Sequence, residues 1–242
     1  MYMKTISAKS VPFVSRSEMI AVDRLMIERF GIQLLQMMEN AGRNLCDLAQ
    51  YLLQGNLTNK SIAVVCGGGN NGGGGLAAAR HMANRGANIH VALAVPRSIL
   101  KPVPAEQLGS LEQMHLDICE KFSKGEYDLI IDALIGYGLK GVPRGLFAEW
   151  IVRMNQSQAA TLSLDIPSGL DADTGIAKGV CVEAKATMTL ALPKKGMHYE
   201  SARSKVGQLY LADIGVPSVL LESLGKTPKG VFESGAIVRL EN

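Results

Sequence analysis

Apolar and polar positions alternate along the chain with two periods, and the switches between them mark the elements. Residues 1–14 have no period and read as a loose tail. Ser15-Arg16-Ser17-Glu18 fits a capping box, in which Ser15 reaches forward and Glu18 reaches back. Met19, Ile20, Val22, Leu25, Met26 and Phe30 then form a helical stripe that Gly31 ends. A second helix over about 32–53 carries Leu34, Leu35, Met38, Ala41, Leu45, Leu48 and Leu52, with Glu39 and Asn40 read as a solvated face. From Ile62 the pattern changes. The near-continuous apolar run 62–65 suits a strand covered on both faces. A helix over 76–85, a strand over 89–95 stopped by Pro96, a helix over 104–122 and a strand over 129–133 follow. A helix over 146–155, a strand over 161–166 and later strands near 185–192 and 207–212 complete the series. Repeated strand-then-helix units predict an α/β fold: a mainly parallel sheet, helices on both faces and right-handed crossovers.

Three glycine-rich or acidic segments interrupt this alternation. In Cys66-Gly67-Gly68-Gly69-Asn70-Asn71-Gly72-Gly73-Gly74-Gly75, a strand leads in and a helix leads out. Such an arrangement presents backbone N–H groups to an anion, and Gly67-x-Gly69-x-x-Gly72 fits a dinucleotide fingerprint. A second glycine loop spans 135–145, following Asp132. A third segment, 165–175, opens with Asp165 and includes Ser168, Asp171 and Asp173. In such sheets ligands bind beyond the carboxyl ends of the strands, where all three segments fall. The first brings amides, the second Asp132 and Lys140, the third Asp165 and Ser168. Together they suggest a site for an anionic small molecule. Asn71, Asp132 and Ser168 offer three hard oxygens, a set better matched to a monovalent ion than to Ca²⁺ or Mg²⁺. Asp171 and Asp173 are read as turn-shaping residues.

Several chemistries are disfavoured. His81, His90, His115 and His198 fall outside zinc-ligand spacing. No Gly-Lys-Ser/Thr follows the glycine run, no Gly-x-Ser-x-Gly elbow is present, and Ser168 has no histidine nearby. The second strand of the series ends Val95-Pro96-Arg97, without the acidic residue that would hold a ribose in an ordinary NAD dehydrogenase. Arg97 suits either a 2′-phosphate or a solvated surface. Composition narrows the class further. The 242 residues suggest one domain, 47% of them are apolar, and the net charge of +3 gives no reason to expect nucleic acid or membrane binding. Cys46, Cys66, Cys119 and Cys181 are isolated and read as reduced thiols of a cytoplasmic protein. The N-terminus lacks the order of a signal peptide, and the chain shows no repeat.

Four segments carry a family resemblance: Met38-Glu39-Asn40-Ala41-Gly42-Arg43, 66–80, 128–145 and 165–175. With them the chain resembles the NAD(P)H-hydrate epimerases, the YjeF N-terminal domain family. The resemblance implies a three-layer α/β/α Rossmann-like fold and interconversion of the R and S forms of hydrated NADH or NADPH. It implies substrate contacts at Asn70, Asn71, Gly72, Gly73 and Gly74, along the arch Gly136, Tyr137, Gly138, Leu139, Lys140, Gly141 and Val142, and at Asp165. It also implies one K⁺ per subunit at Asn71, Asp132 and Ser168, a homodimer, and a separate dehydratase as functional partner. Asp165 is then the proton-transferring residue. Lys140 is a second catalytic candidate that stabilises negative charge or binds a phosphate. The family usually reads Asn-Asn-Gly-Gly-Asp-Gly in the first segment, and Gly74 stands here in place of its aspartate. The alternative reading is therefore a catalytically impaired ligand-binding or scaffold module.

Overall fold

The computed structural model describes residues 3–123, 125–228 and 230–241. Among them the strands are β1 Thr5–Ser7, β2 Ser61–Cys66, β3 Asn88–Leu93, β4 Asp117–Cys119, β5 Leu129–Ala133, β6 Ala160–Leu164, β7 Ala186–Leu190, β8 Gln208–Ala212 and β9 Ile237–Glu241. They join in one sheet, in the order β1-β9-β8-β7-β6-β5-β2-β3-β4. Every neighbouring pair is parallel except β8 with β9. The helices are α1 Arg16–Glu28, α2 Leu34–Leu52, α3 Asn70–Asn84, α4 Pro102–Gln113, α5 Leu146–Gln156, α6 Arg203–Val206 and α7 Ser218–Ser223.

The apolar strands are covered on both faces, so their side chains sort by pleat alone. In β2, Ile62, Val64 and Cys66 pack with Leu45 and Leu48 of α2, Leu76 and Met82 of α3, and Leu108 of α4. Ala63 and Val65 point the other way, to Trp150, Ile151 and Met154 of α5. Farther along the sheet, Leu211 of β8 meets Met26 of α1 and Leu220 of α7. Helices α2, α3 and α4 thus form one layer and α1, α5 and α7 the other, the three-layer Rossmann-like arrangement expected. From β2 the chain winds outward to β3 and β4, then returns to β5 on the other side of β2. The strand order reverses there, and the carboxyl ends of β2 and β5 open a crevice.

Four expectations need correction. The first is the loose tail. Residues 5–7 form β1 against β9, Val14 bridges to Lys194, and Ala8, Val11 and Val14 are buried. Burial against the far edge of the sheet orders a segment too short to show a period. Second, the glycine loop closes early. Helix α3 begins at Asn70, so Gly72, Gly73, Gly74 and Gly75 lie inside it. Glycine is a poor helix former, and here packing overrides propensity. A Cβ on Gly75 would lie 2.4 Å from Ala133 Cβ, and one on Gly72 1.9 Å from the Gly67 carbonyl oxygen. Third, the helix expected over 104–122 spans Pro102–Gln113, and β4 takes up three of the remaining residues. His115 adopts the left-handed φ of 56° and Leu116 N–H bonds back to the Leu111 carbonyl at 3.2 Å, a helix stop without the usual glycine. Fourth, Glu39 and Asn40 do more than face solvent, although Glu39 is only half-buried and Asn40 is exposed. Glu39 accepts from Arg80 and, at 2.7 Å, pairs with His81 Nε2; Asn40 donates to the Ile214 carbonyl at 3.1 Å. These bonds tie α2 to α3 and to the segment after β8.

Candidate functional site

The crevice at the reversal point holds a cavity of about 490 Å³, within the usual range for small-molecule sites. Asn70, Asn71 and Gly74 line it from α3, Gly136, Tyr137 and Gly138 from the arch after β5, and Asp165 from the end of β6. Because α3 starts at its mouth, the first N–H groups of that helix lack intrahelical partners and face the crevice with the positive end of the helix dipole. Gly72 and Gly73 lie behind this surface: a Cβ on Gly73 would meet Met38 Sδ at 2.7 Å. The rest of the arch diverges from the cavity. Lys140 is exposed, and Leu139, Gly141 and Val142 are not among the lining residues.

Asp165 is the chemical centre of the crevice. It is 4% exposed and sits at φ 69°, a conformation that aspartate adopts more readily than most residues. The Ile166 N–H bonds to the Leu164 carbonyl at 2.9 Å, closing a γ-turn of the rarer, positive-φ form around Asp165. An equivalent turn lies next door on β7, where Ala191 has φ 63° and Leu192 N–H bonds to the Leu190 carbonyl at 2.7 Å. Paired strain of this kind lifts the chain out of the sheet at a ligand site. Asp165 Oδ1 accepts from Lys194 Nζ, and Asp165 Oδ2 accepts from the Tyr137 backbone N–H at 3.1 Å. Lys194 is fully buried. Its other contacts are Thr189 Oγ1 at 3.2 Å and the Leu190 carbonyl at 3.0 Å, so its three donors are all used. Sequence reasoning missed this lysine. The one available signal was its place in Leu192-Pro193-Lys194, directly beyond an apolar strand at the ligand-binding edge.

Asp23 was missed as well. It reaches the cavity from α1, and its Oδ2 accepts a hydrogen bond from the Tyr137 hydroxyl. Burial pushes its carboxyl above the usual carboxylate range, although the Tyr137 bond opposes the shift. The same burial pushes the Tyr137 phenol far upward.

Asp132 and Ser168 come together as expected. Asp132 is fully buried, and its register partner on β6 is Ser163. Its Oδ1 accepts from Ser168 Oγ at 2.6 Å and Leu134 N–H at 3.2 Å; its Oδ2 accepts from Ser163 Oγ at 2.8 Å and Ser168 N–H at 2.9 Å. All four donors are neutral. Burial accordingly pushes the Asp132 carboxyl upward despite them. Asn71, the third residue expected there, lies on α3 next to Gly136, and its buried amide nitrogen has no partner among the described residues. A buried carboxylate with only neutral partners, bonded to the Ser168 hydroxyl, is a group that a monovalent cation fits: it would balance the charge. Farther out, Asp171 shapes its turn by accepting from Thr174 N–H at 2.8 Å, and Asp173 accepts from the first N–H of α1, Arg16, at 2.7 Å.

Comparison with known proteins sets this geometry in context. The family model described as YjeF-related protein N-terminus matches residues 34–196. A protein of Dehalogenimonas lykanthroporepellens named NAD(P)H-hydrate epimerase is 39% identical over 239 residues, 98% of this chain and 96% of that protein. The bifunctional NAD(P)H-hydrate repair enzyme Nnr of Moorella thermoacetica is 39% identical over 222 residues; the match takes in 86% of this chain but 41% of that longer protein. Among solved structures, the yeast protein ynu0 superposes with a TM-score of 0.81 over 95% of this chain and 100% of its own, at 22% identity, which supports the fold.

Proposed function

The chain belongs to the family of the YjeF-related protein N-terminus, and from that premise we propose that it is an NAD(P)H-hydrate epimerase, interconverting the R and S forms of hydrated NADH and NADPH. The observation that carries the reading is Asp165, a cavity-facing carboxylate locked to the buried Lys194, beside the open N-terminus of α3. Epimerisation requires the hydroxyl-bearing ring carbon to lose its configuration. The ring nitrogen lone pair expels the hydroxyl as water, and water returns on the other face. Each half-step needs a proton carrier next to that carbon, and Asp165 is assigned that role on the ring face it lines. Lys194 orients the carboxylate and supplies its countercharge. The free N–H groups of Asn70 and Asn71 suit the pyrophosphate. Lys140, exposed and outside the cavity lining, is given no part in the proton transfer.

Potassium belongs to the same proposal, at Asn71, Asp132 and Ser168. When bound it supplies the positive charge that Asp132 lacks, and it would brace the start of α3 against the arch. The melting temperature should then be higher in K⁺ than in Li⁺ at equal ionic strength, with the difference lost in Asp132→Asn; equal melting in both salts would remove the ion from the account.

Gly74 does not weigh against catalysis, because Asp165, Asp132 and Ser168 are all present. A Cβ there would lie 2.9 Å from Leu164 Cδ2, the movable end of a side chain. Gly74→Asp is expected to fold and to leave the rate within a few-fold of wild type; a large gain would favour the impaired-module reading. A separate dehydratase, a homodimer and a cytoplasmic setting complete the proposal. The fused repair enzymes support the first. The cysteines, all free, support the last, and among the described residues no helix is long and apolar enough to cross a membrane. The homodimer rests on the resemblance alone, since the apolar face of α2 is used up against the sheet and α3. The direct test of function is the R/S equilibration of hydrated NADH, which the protein should accelerate; folded protein that leaves the spontaneous rate unchanged would overturn the assignment.

A further inference from the structure

An epimerase of this kind faces a problem of sides. The hydroxyl leaves from one face of the ring and water arrives on the other, so a single fixed carboxyl cannot serve both events. The cavity contains a second carboxyl besides Asp165. Asp23 lines it from α1, an element outside the span matched by the family model. Tyr137 stands between the two carboxyls and holds both, its backbone N–H on Asp165 Oδ2 and its hydroxyl on Asp23 Oδ2. Their surroundings differ. Asp165 is paired with Lys194, which has no donor left for another group, whereas Asp23 is bonded to a neutral phenol. One carboxyl thus faces a buried ammonium and the other a neutral phenol, the kind of contrast found between paired acid and base residues.

We propose that Asp23 is a second catalytic residue, transferring protons on the face of the substrate ring opposite Asp165. The inference rests on the epimerase reading and deepens it. In one direction the Asp23 carboxyl gives its proton to the departing hydroxyl. The carbon–oxygen bond breaks with its electron pair on the leaving water, and the ring nitrogen lone pair forms the carbon–nitrogen double bond. Water then adds on the other face, the double-bond pair returns to nitrogen, and the Asp165 carboxylate takes the proton released. The opposite direction runs from protonated Asp165 to ionised Asp23, and both carboxyls re-equilibrate with solvent between turnovers.

The experiment uses the full chain in ¹⁸O-labelled water and follows two rates for each epimer of hydrated NADH: inversion and isotope exchange. Wild type should exchange one oxygen per inversion. Asp23→Asn should invert about 10²-fold or more slowly, the usual scale for losing a proton carrier, with KM changed only a few-fold. One epimer, whose hydroxyl faces Asp165, should continue to exchange with retention, so its exchange-to-inversion ratio rises. Asp23→Glu, which keeps a carboxyl, should recover much of the inversion, and it serves as the test if the asparagine variant does not fold. Inversion by Asp23→Asn close to the wild-type rate, a parallel fall of exchange and inversion in both epimers, inversion by wild type without exchange, or no recovery with glutamate would each overturn the proposal. A wild type no faster than the spontaneous reaction would instead strike the epimerase reading itself.

Discussion

Asp165 and Lys194 form an ion pair with almost no access to water, their side chains 5% and 1% exposed. Removing one member of such a pair strands the other. Lys194→Met should therefore destabilise the fold by about 3–5 kcal/mol, as broken buried pairs generally do, and should abolish epimerisation; urea unfolding of both proteins measures the first effect. A loss under 1 kcal/mol would mean that the pair is in effect solvated. The two members differed in legibility. Asp165 stands at the end of an apolar run in an acidic, glycine-containing segment, and Asp132 and Ser168 occupy comparable places, so strand-end logic pointed to all three. Lys194 carries only the faint mark of its place beyond an apolar strand, and Asp23 carries none. One is a lysine next to another lysine, and the other is an acidic residue on an amphipathic helix. Only the tertiary fold buries them together.

At the scale of elements, α3 is fixed by close contact more than by propensity. It crosses α2 where Gly42 faces Ala77, and a Cβ on Gly42 would lie 2.5 Å from Ala77 Cβ and 2.8 Å from the Ala78 backbone nitrogen. Glycine-to-alanine changes inside helices ordinarily stabilise by about 0.5–1 kcal/mol. Gly42→Ala should do the reverse and cost about 1–3 kcal/mol through overpacking, a sign that thermal melting can read. The same dependence on contacts hid the start of α3, since glycine reads locally as loop. Helix α1, by contrast, was legible at its start. Ser15 N–H donates to Glu18 Oε2 at 2.6 Å, and Glu18 N–H donates to Ser15 Oγ at 3.2 Å. The Ser15 backbone bond is the largest influence on Glu18. With a further bond from Lys226, it holds the carboxyl at about 2, below its reference of 4.5. A lowered acid pKa contributes stability that is complete above pH 4.5 and disappears as the pH falls toward 2. The stability gap between wild type and Glu18→Gln should therefore narrow over that window; a gap independent of pH would contradict the assignment.

On the scale of the molecule, β1 and β9 run against the other seven strands and close one edge of the sheet. Neither was legible. β1 is three residues long, and β9 lies far in sequence from the strand it pairs with on that edge. A chain beginning at Ser15 would lose β1 and the burial of Met3, Val11 and Val14, 8%, 3% and 0% exposed. At roughly 1.5–3 kcal/mol per large side chain, the loss is about 5 kcal/mol. Melting should fall by roughly 10–20 °C, and the uncovered β9 edge should promote association; unchanged melting would show that the segment contributes little. The central parallel strands were readable because they are buried on both faces and hence continuously apolar, and β5 falls on the residues expected.

In the proposed reaction Asp165, held by Lys194 in the crevice where the sheet reverses, moves the proton that epimerisation requires. The most direct test of that role is kcat for conversion of R- to S-hydrated NADH by wild type and by Asp165→Asn, with near-ultraviolet circular dichroism reporting the fold of each. Wild-type turnover should stand well above the spontaneous rate and fall about 10²–10⁴-fold in the variant. A folded Asp165→Asn that turns over at the wild-type rate would contradict it.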